Sequence, residues 1–362
     1  MPLTADDRQQ LRERCTVILP GFRTPPPAEE FRLMADWCLA NDVAHDVYGE
    51  GRLIEDFEGR IAGLTGKPAA AFMPSGVMAQ LIAIKIWADR AGLPRFGLHA
   101  TSHLILHERE AYQALFHLHG AVVGDRLRPM TAADLEADRQ PLACLVVELP
   151  IREAGGQLPD WDQLEALKTL ARERHIALHM DGARLWECRA FYGRSYADIA
   201  DGFASVYVSV YKGLGGIAGA VLAGDQDFIA EARLWRRRMG GTLVHQSPMI
   251  ASAAMRVDAR LAMMDACYAR ALSLAEALAD VPGLKVNPAK PQTNMMHLYI
   301  AAPAETVLER RDAIAARDGI WLIGGARPAE IPGWCVTELY VGDTLLGQDN
   351  DRVVAGLREL VG

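Results

Sequence analysis

A lysine set between an alternating apolar run and a cluster of glycines is placed for chemistry. Lys212 follows "SVYVSVY" and precedes "GLGG", so its ammonium would project from a strand end into a cleft with little bulk behind it. A desolvated lysine there can lose its proton and form a Schiff base with an aldehyde; a solvated or ion-paired role is the alternative. A second feature is "ALHMDGARLWE", residues 177–187, where an apolar strand pattern ends in Asp181 and Arg184. A buried aspartate is costly without a cation or donors. Either Arg184 bridges it structurally, or a cationic ligand group does. Third, Ser75 and Gly76 join "AAAFMP" to "SGVMAQLIAIKIWADRAG" and open a helix. Its unpaired N–H groups and dipole favour a phosphate, although plain capping also explains the serine. Taken together, an aldehyde-binding lysine, an acid able to hold a pyridinium nitrogen and a phosphate-binding helix start are what pyridoxal phosphate requires.

The elements around these residues decide whether they can meet. "LACLVVEL" reads as a strand and "DWDQLEALKTLARERH" as a helix capped by Asp160, with Leu164, Leu167, Leu170 and Ala171 on one face. "IALHMD" is the next strand. This βαβ unit implies a parallel sheet with a right-handed crossover, and such sheets bind ligands outside the carboxyl ends of their strands. "AAAFMP", "SVYVSVY" and "IAGAVLAG" would belong to the same sheet. The segment up to about Pro27 reads as irregular. Residues 28–41 follow as an amphipathic helix through Phe31, Met34, Trp37 and Cys38. "LIEDFEGRIAGLTG" is again helical. After Gln246 a long Ala/Met/Leu-rich helix, the strands "TNMMHLYI" and "GWCVTELYV" and a final helix, "QDNDRVVAGLREL", read as a smaller α+β lobe. The expected division is an N-terminal arm over 1–45 that joins the small lobe, a large domain over 46–246 and a small domain over 247–362.

Composition narrows the partner. The 362 residues are half hydrophobic and carry a net charge of −8, enough for a large core with a smaller lobe. Basic residues are dispersed except around Arg233 to Arg238, which disfavours nucleic acid and points to a small molecule. Cys15, Cys38, Cys144, Cys188, Cys267 and Cys335 contain no CxxC pair and read as reduced thiols in a cytoplasmic protein. The N-terminus lacks a secretory pattern, and no apolar run reaches the roughly 18 residues that span a bilayer.

With these residues in view, the chain resembles the low-specificity threonine aldolases of the β-eliminating lyase family. The motifs "HDVYGEG", "FMPSGVMAQ", "HMDGARLWE", "KGLGG" and "QTNM" occur in family order. The resemblance implies a pyridoxal-phosphate enzyme of fold type I: an α/β large domain with a mainly parallel seven-stranded sheet, plus a smaller α+β C-terminal domain. By that resemblance Lys212 is the Schiff-base lysine, Asp181 the partner of the pyridine nitrogen and Arg184 a contact to cofactor and substrate carboxylate. His103 is the histidine that stacks on the ring and serves catalysis. Ser75, Gly76 and Val77 form the phosphate cradle, with Ser209 as a further donor. Tyr48 and Gly49 approach the site of a neighbouring subunit, which implies a homo-oligomer, a dimer or a dimer of dimers. No metal is implied.

The family's Ser-Asp-Thr stretch is replaced by "VILPGFRTPPP", and its Glu-Asn-Thr-His-Asn segment by "ELPIREAGGQLP". The latter keeps Glu148 and offers Arg152 as a substrate contact. Tyr211 stands where a serine usually precedes the lysine, and Thr337 and Glu338 occupy the region of a carboxylate-binding arginine. Retro-aldol cleavage of a threonine-like amino acid is the leading expectation. β-Elimination or racemisation, and a non-catalytic cofactor-binding relative, are the alternatives. A dinucleotide reading of "GLGGIAG" is disfavoured because a strand follows it. His99, His103, His107, His117 and His119 lack the acids or cysteines of a metal site. Arg236, Arg237 and Arg238 are either a solvated face or, by the resemblance, a phosphate contact across a subunit boundary.

Overall fold

The computed structural model describes residues 3–362, and the chain forms two compact units. The larger comprises 24–151 and 158–262; the smaller takes the described residues up to Arg23, 152–157 and 263–362. The boundary thus departs from the sequence reading. Residues 24–45 go with the large unit, and the change to the small one falls inside a helix, where no composition shift marks it.

The large unit is built on a seven-stranded sheet. Its strands are β1 (Ala69–Met73), β2 (Arg95–Leu98), β3 (His119–Val122), β4 (Cys144–Glu148), β5 (Ala177–Asp181), β6 (Ser205–Ser209) and β7 (Ala220–Gly224). They lie in the order β1-β7-β6-β5-β4-β2-β3. Only β7 runs antiparallel to its neighbours. Every residue of β6 and β7 is buried, as expected where both faces of a sheet are covered.

Before the sheet come helices α1 (Pro27–Ala40) and α2 (Arg52–Thr65). Helix α3 (Gly76–Ala91) starts at Ser75, whose Oγ accepts the Met78 N–H at 3.2 Å, and ends on Gly92 in the left-handed conformation. That serine cap and glycine stop delimit the helix as its sequence predicts. The expected crossover helix α4 (Trp161–Glu173) has a capping box between Asp160 and Gln163 and buries Leu164, Leu167 and Ala171. Helix α5 (Gln226–Arg238) packs with α3 on the sheet, where Ala79, Ile82, Ile86, Phe228, Ile229 and Ala232 meet Ala71, Tyr207 and Leu222.

In the small unit, antiparallel strands β8 (Leu284–Asn287), β9 (Met295–Ile300) and β10 (Cys335–Tyr340) are joined at the edge by Arg327–Pro328. Helices α7 (Ala304–Asp318) and α8 (Asn350–Val361) contribute to its core. Two expectations are corrected here. The segment before Pro27 is not wholly irregular: Ala5–Arg14 is a helix with a Thr4/Asp7 capping box. It buries only Leu11, against Ala315 and Trp321, so it carries no amphipathic stripe to read. The long helix after Gln246 is two, Ser247–Ala254 and α6 (Val257–Leu278). Among the described residues no helix is long and apolar enough to cross a membrane.

Candidate active site

The carboxyl ends of the central strands bring the sequence-selected residues together. Asp181 ends β5, beside Glu148 of β4 and Tyr207 of β6 in register. It is 3% exposed, and its Oδ1 accepts the Ala183 N–H at 3.2 Å. Burial pushes its carboxyl above the usual range, while the Lys212 ammonium and the Ala183 N–H pull it back. Lys212 follows β6, with its Nζ 6.0 Å from the Tyr211 ring centroid. Both residues line a cavity of about 310 Å³, with Ser75, Gly76 and Val77 at the start of α3 and His103 on another wall.

His103 is oriented by an acid. Its Nδ1 lies 2.8 Å from Glu108 Oε1; a carboxylate only accepts, so Nδ1 carries the proton and Nε2 is left as the basic nitrogen. Glu108 lines the same cavity, and its Oε2 is buried with no partner among the described residues.

A second buried network reaches the cavity through Gln80. Trp87 Nε1 donates to Ser205 Oγ at 2.8 Å, and Ser205 Oγ lies 2.7 Å from His179 Nδ1. His179 Nε2 lies 2.7 Å from Gln80 Oε1. The indole can only donate and the amide oxygen can only accept, so the direction of every bond is fixed. Burial pushes His179 down to about 3, which keeps it neutral. Gln80 lines the cavity, and its Nε2 is buried and without a partner among the described residues. An orphan donor and an orphan acceptor in one wall are what a polar ligand would satisfy.

Other selected residues lie elsewhere. Arg184 sits outside the cavity lining, with its NH1 3.2 Å from Glu187 Oε1. Ser209 is fully buried, and its Oγ faces the N–H groups of Tyr211 and Lys212, both at 3.4 Å. Arg152 belongs to the small unit, where its Nε is 2.7 Å from Glu338 Oε2 and its NH1 3.4 Å from Glu153 Oε1. The residues at two departures from the family pattern therefore pair with each other.

Tyr48 is 53% exposed with φ +52°, and its N–H donates to Val244 O at 2.9 Å. Its turn is pinned by Asp46, which accepts the N–H groups of Gln246 and Ser247 at 2.7 Å and of Gly49 at 3.2 Å. Arg236 is buried, with its NH1 donating to Phe72 O at 2.7 Å. Among the described residues no three His, Cys, Asp or Glu side chains converge as a metal site. His99 instead bridges Thr101 and the carbonyls of Asp125 and Arg128.

Gln80, Glu108 and Tyr207 are among the cavity residues that the sequence reading does not single out as site residues. Gln80 was legible as one helical turn beyond Gly76. Tyr207 shares a strand face with Ser209. Glu108 had only its nearness to His103.

The sequence profile of the beta-eliminating lyase family matches residues 28–301. The crystal structure of a candidate L-allo-threonine aldolase from Listeria monocytogenes superimposes with a TM-score of 0.91 at 36% identity, covering 98% of each chain. The aldolase vrtJ of Penicillium aethiopicum is 31% identical over 92% of this chain and 85% of its own. Low-specificity L-threonine aldolase 1 of Arabidopsis thaliana is 28% identical over 78% and 82%. The fold is the fold type I architecture expected from the motifs, and this chain belongs to the beta-eliminating lyase family.

Proposed function

We propose that the chain is a pyridoxal-phosphate-dependent lyase that cleaves a β-hydroxy-α-amino acid of the threonine type to glycine and an aldehyde. One observation carries the reading: Lys212, Asp181 and the N-terminus of α3 line a single cavity. The residues fit the cofactor. The amides that open α3 suit a phosphate, a pyridinium N–H would offset the burial that raises the Asp181 carboxyl, and Gln80 Nε2 and Glu108 Oε2 are buried without a partner among the described residues. The relatives named as threonine aldolases support aldol cleavage over elimination or racemisation.

Bound pyridoxal phosphate supplies an electron sink for the pair left on Cα when a bond there breaks. Lys212 Nζ is the amine that holds its aldehyde carbon. Asp181 would accept the ring N–H and favour the protonated nitrogen. His103 lies on the cavity wall, with Nδ1 held by Glu108 and Nε2 left to accept. It would take the proton from the β-hydroxyl as the Cα–Cβ bond breaks and, once the aldehyde has departed, return that proton to Cα to give glycine. Arg152 is occupied by two acids, and Arg184, the arginine that the family motif assigns to the substrate carboxylate, binds it. Glu148, beside Asp181 in register, and Tyr48 complete the substrate contacts.

We assign the enzyme to the cytoplasm, consistent with cysteines that form no disulfide among the described residues. We also assign it to a homo-oligomer, a dimer or a tetramer, whose sites are shared. Val47, Tyr48, Leu243 and Val244 are exposed on the two segments that the Tyr48 bond joins, and such apolar patches are characteristic of subunit interfaces. Sedimentation of the wild type is expected to show an oligomer that Tyr48→Asp weakens; a monomer with full activity overturns this assignment.

The function is tested by incubating the purified protein with threonine, allo-threonine, phenylserine, serine and alanine while following glycine, aldehyde, pyruvate and chirality. Glycine and aldehyde in equal amounts from a β-hydroxy substrate are expected. Pyruvate from serine or racemised alanine, without aldehyde from any substrate, overturns the reading.

A further inference from the structure

We propose that the Tyr207 hydroxyl is a direct ligand of the cofactor phosphate, donating a hydrogen bond to a phosphate monoester at the N-terminus of α3. The inference rests on the cavity being the pyridoxal-phosphate site and adds a residue to it. Tyr207 lies on β6 with its side chain packed in the cluster formed by α3, α5 and the sheet. Its hydroxyl reaches the first residue of α3: a Cβ on Gly76 would fall 2.3 Å from the phenolic oxygen and 2.9 Å from Cζ. Residue 76 is therefore glycine because the phenol approaches its backbone this closely.

The amides of Gly76 and Val77 precede Ala79, whose N–H makes the first intrahelical bond, to Ser75 O, so neither has an acceptor within the helix. Two hydroxyls on this strand face compete for the role. Ser209 is fully buried with its Oγ against the N–H groups of Tyr211 and Lys212, and it is absent from the cavity lining. Tyr207 is 4% exposed and lines the cavity. The strand thus delivers its hydroxyl to the helix N-terminus through the long side chain.

Burial keeps the phenol protonated, and the neighbouring Asp181 carboxylate acts in the same direction. Tyr207 therefore offers a proton throughout the working pH range and places no second negative charge on a phosphate. One helical turn beyond Gly76, Gln80 also lines the cavity, and its buried Nε2 has no partner among the described residues.

The test compares pyridoxal phosphate with pyridoxal, which has the same ring and aldehyde but no phosphate. For Tyr207→Phe, affinity for pyridoxal phosphate, read from cofactor absorbance titrated onto the apoprotein, is expected to fall about tenfold to a hundredfold, the loss of a hydrogen bond to a charged group. Affinity for pyridoxal should stay within about twofold of wild type on the same grounds. Inorganic phosphate should compete with pyridoxal phosphate in the wild type and more weakly in the variant.

Equal losses for both ligands, or no loss for either, overturn the phosphate role. A wild type that takes up neither ligand overturns the cofactor reading and this inference with it. Should Tyr207→Phe fail to fold, 3-fluorotyrosine at position 207 keeps ring and hydroxyl. Its fluorine resonance is expected to move with pyridoxal phosphate and inorganic phosphate and to stay in place with pyridoxal; the same displacement by all three overturns the proposal.

Discussion

Lys212→Ala is expected to lower kcat for threonine-type cleavage by at least about a thousandfold, the scale on which removing an enzyme's nucleophile acts. The same variant should lose the visible absorbance that borohydride bleaches in the wild type. Lys212→Arg separates charge from chemistry. The guanidinium still opposes the Asp181 carboxylate, which the ammonium moderates in the wild type, but it does not deprotonate to attack an aldehyde. Arginine should therefore restore apoprotein stability relative to alanine and restore neither the absorbance nor the turnover. Substantial aldehyde release by either variant would move the reaction away from this lysine.

Asp181→Asn should separate stability from activity in opposite directions. Burial raises the Asp181 carboxyl in the folded apoprotein, so the folded state holds this proton more tightly than the unfolded chain does. Stability is then lost as pH rises from the usual carboxylate range through the raised folded value, and it is level above that. Asparagine has no charge to desolvate. The apoprotein of the variant should melt a few degrees higher than wild type at neutral pH, and the gap should close in acid as the wild-type carboxyl protonates. Activity should fall about a hundredfold to a thousandfold, typical for removal of a charge aimed at the reacting system. Melting curves against pH and kcat at saturating cofactor check the two arms. A variant that is both destabilised at neutral pH and fully active would show that Asp181 is a structural anion.

Much of the large unit was legible because its strands and helices carry their own periodicity. "ALHMD" and "SVYVS" are read correctly as sheet strands. α3 and α4 start at the expected Ser75 and Asp160 caps. β2 and β3 escaped notice because they are short and include glycine. β3 also lies at the sheet edge with mostly exposed residues, so no buried alternation advertises it. The N-terminal helix was missed for the related reason that it buries a single leucine.

The sequence by itself determined the chemistry: which strand ends carry a lysine and an aspartate, and which helix opens with Ser75 and Gly76. Those features are local, set by residue type and by the period of a few neighbouring residues. Only the tertiary structure decided the company these groups keep. Glu108 orients His103 across five residues of chain, Gln80 is fixed through His179, 99 residues away, and Arg152 is spent on Glu338, 186 residues away. Buried polar groups must find partners wherever the packing puts them, and no spacing along the chain records which partner that will be.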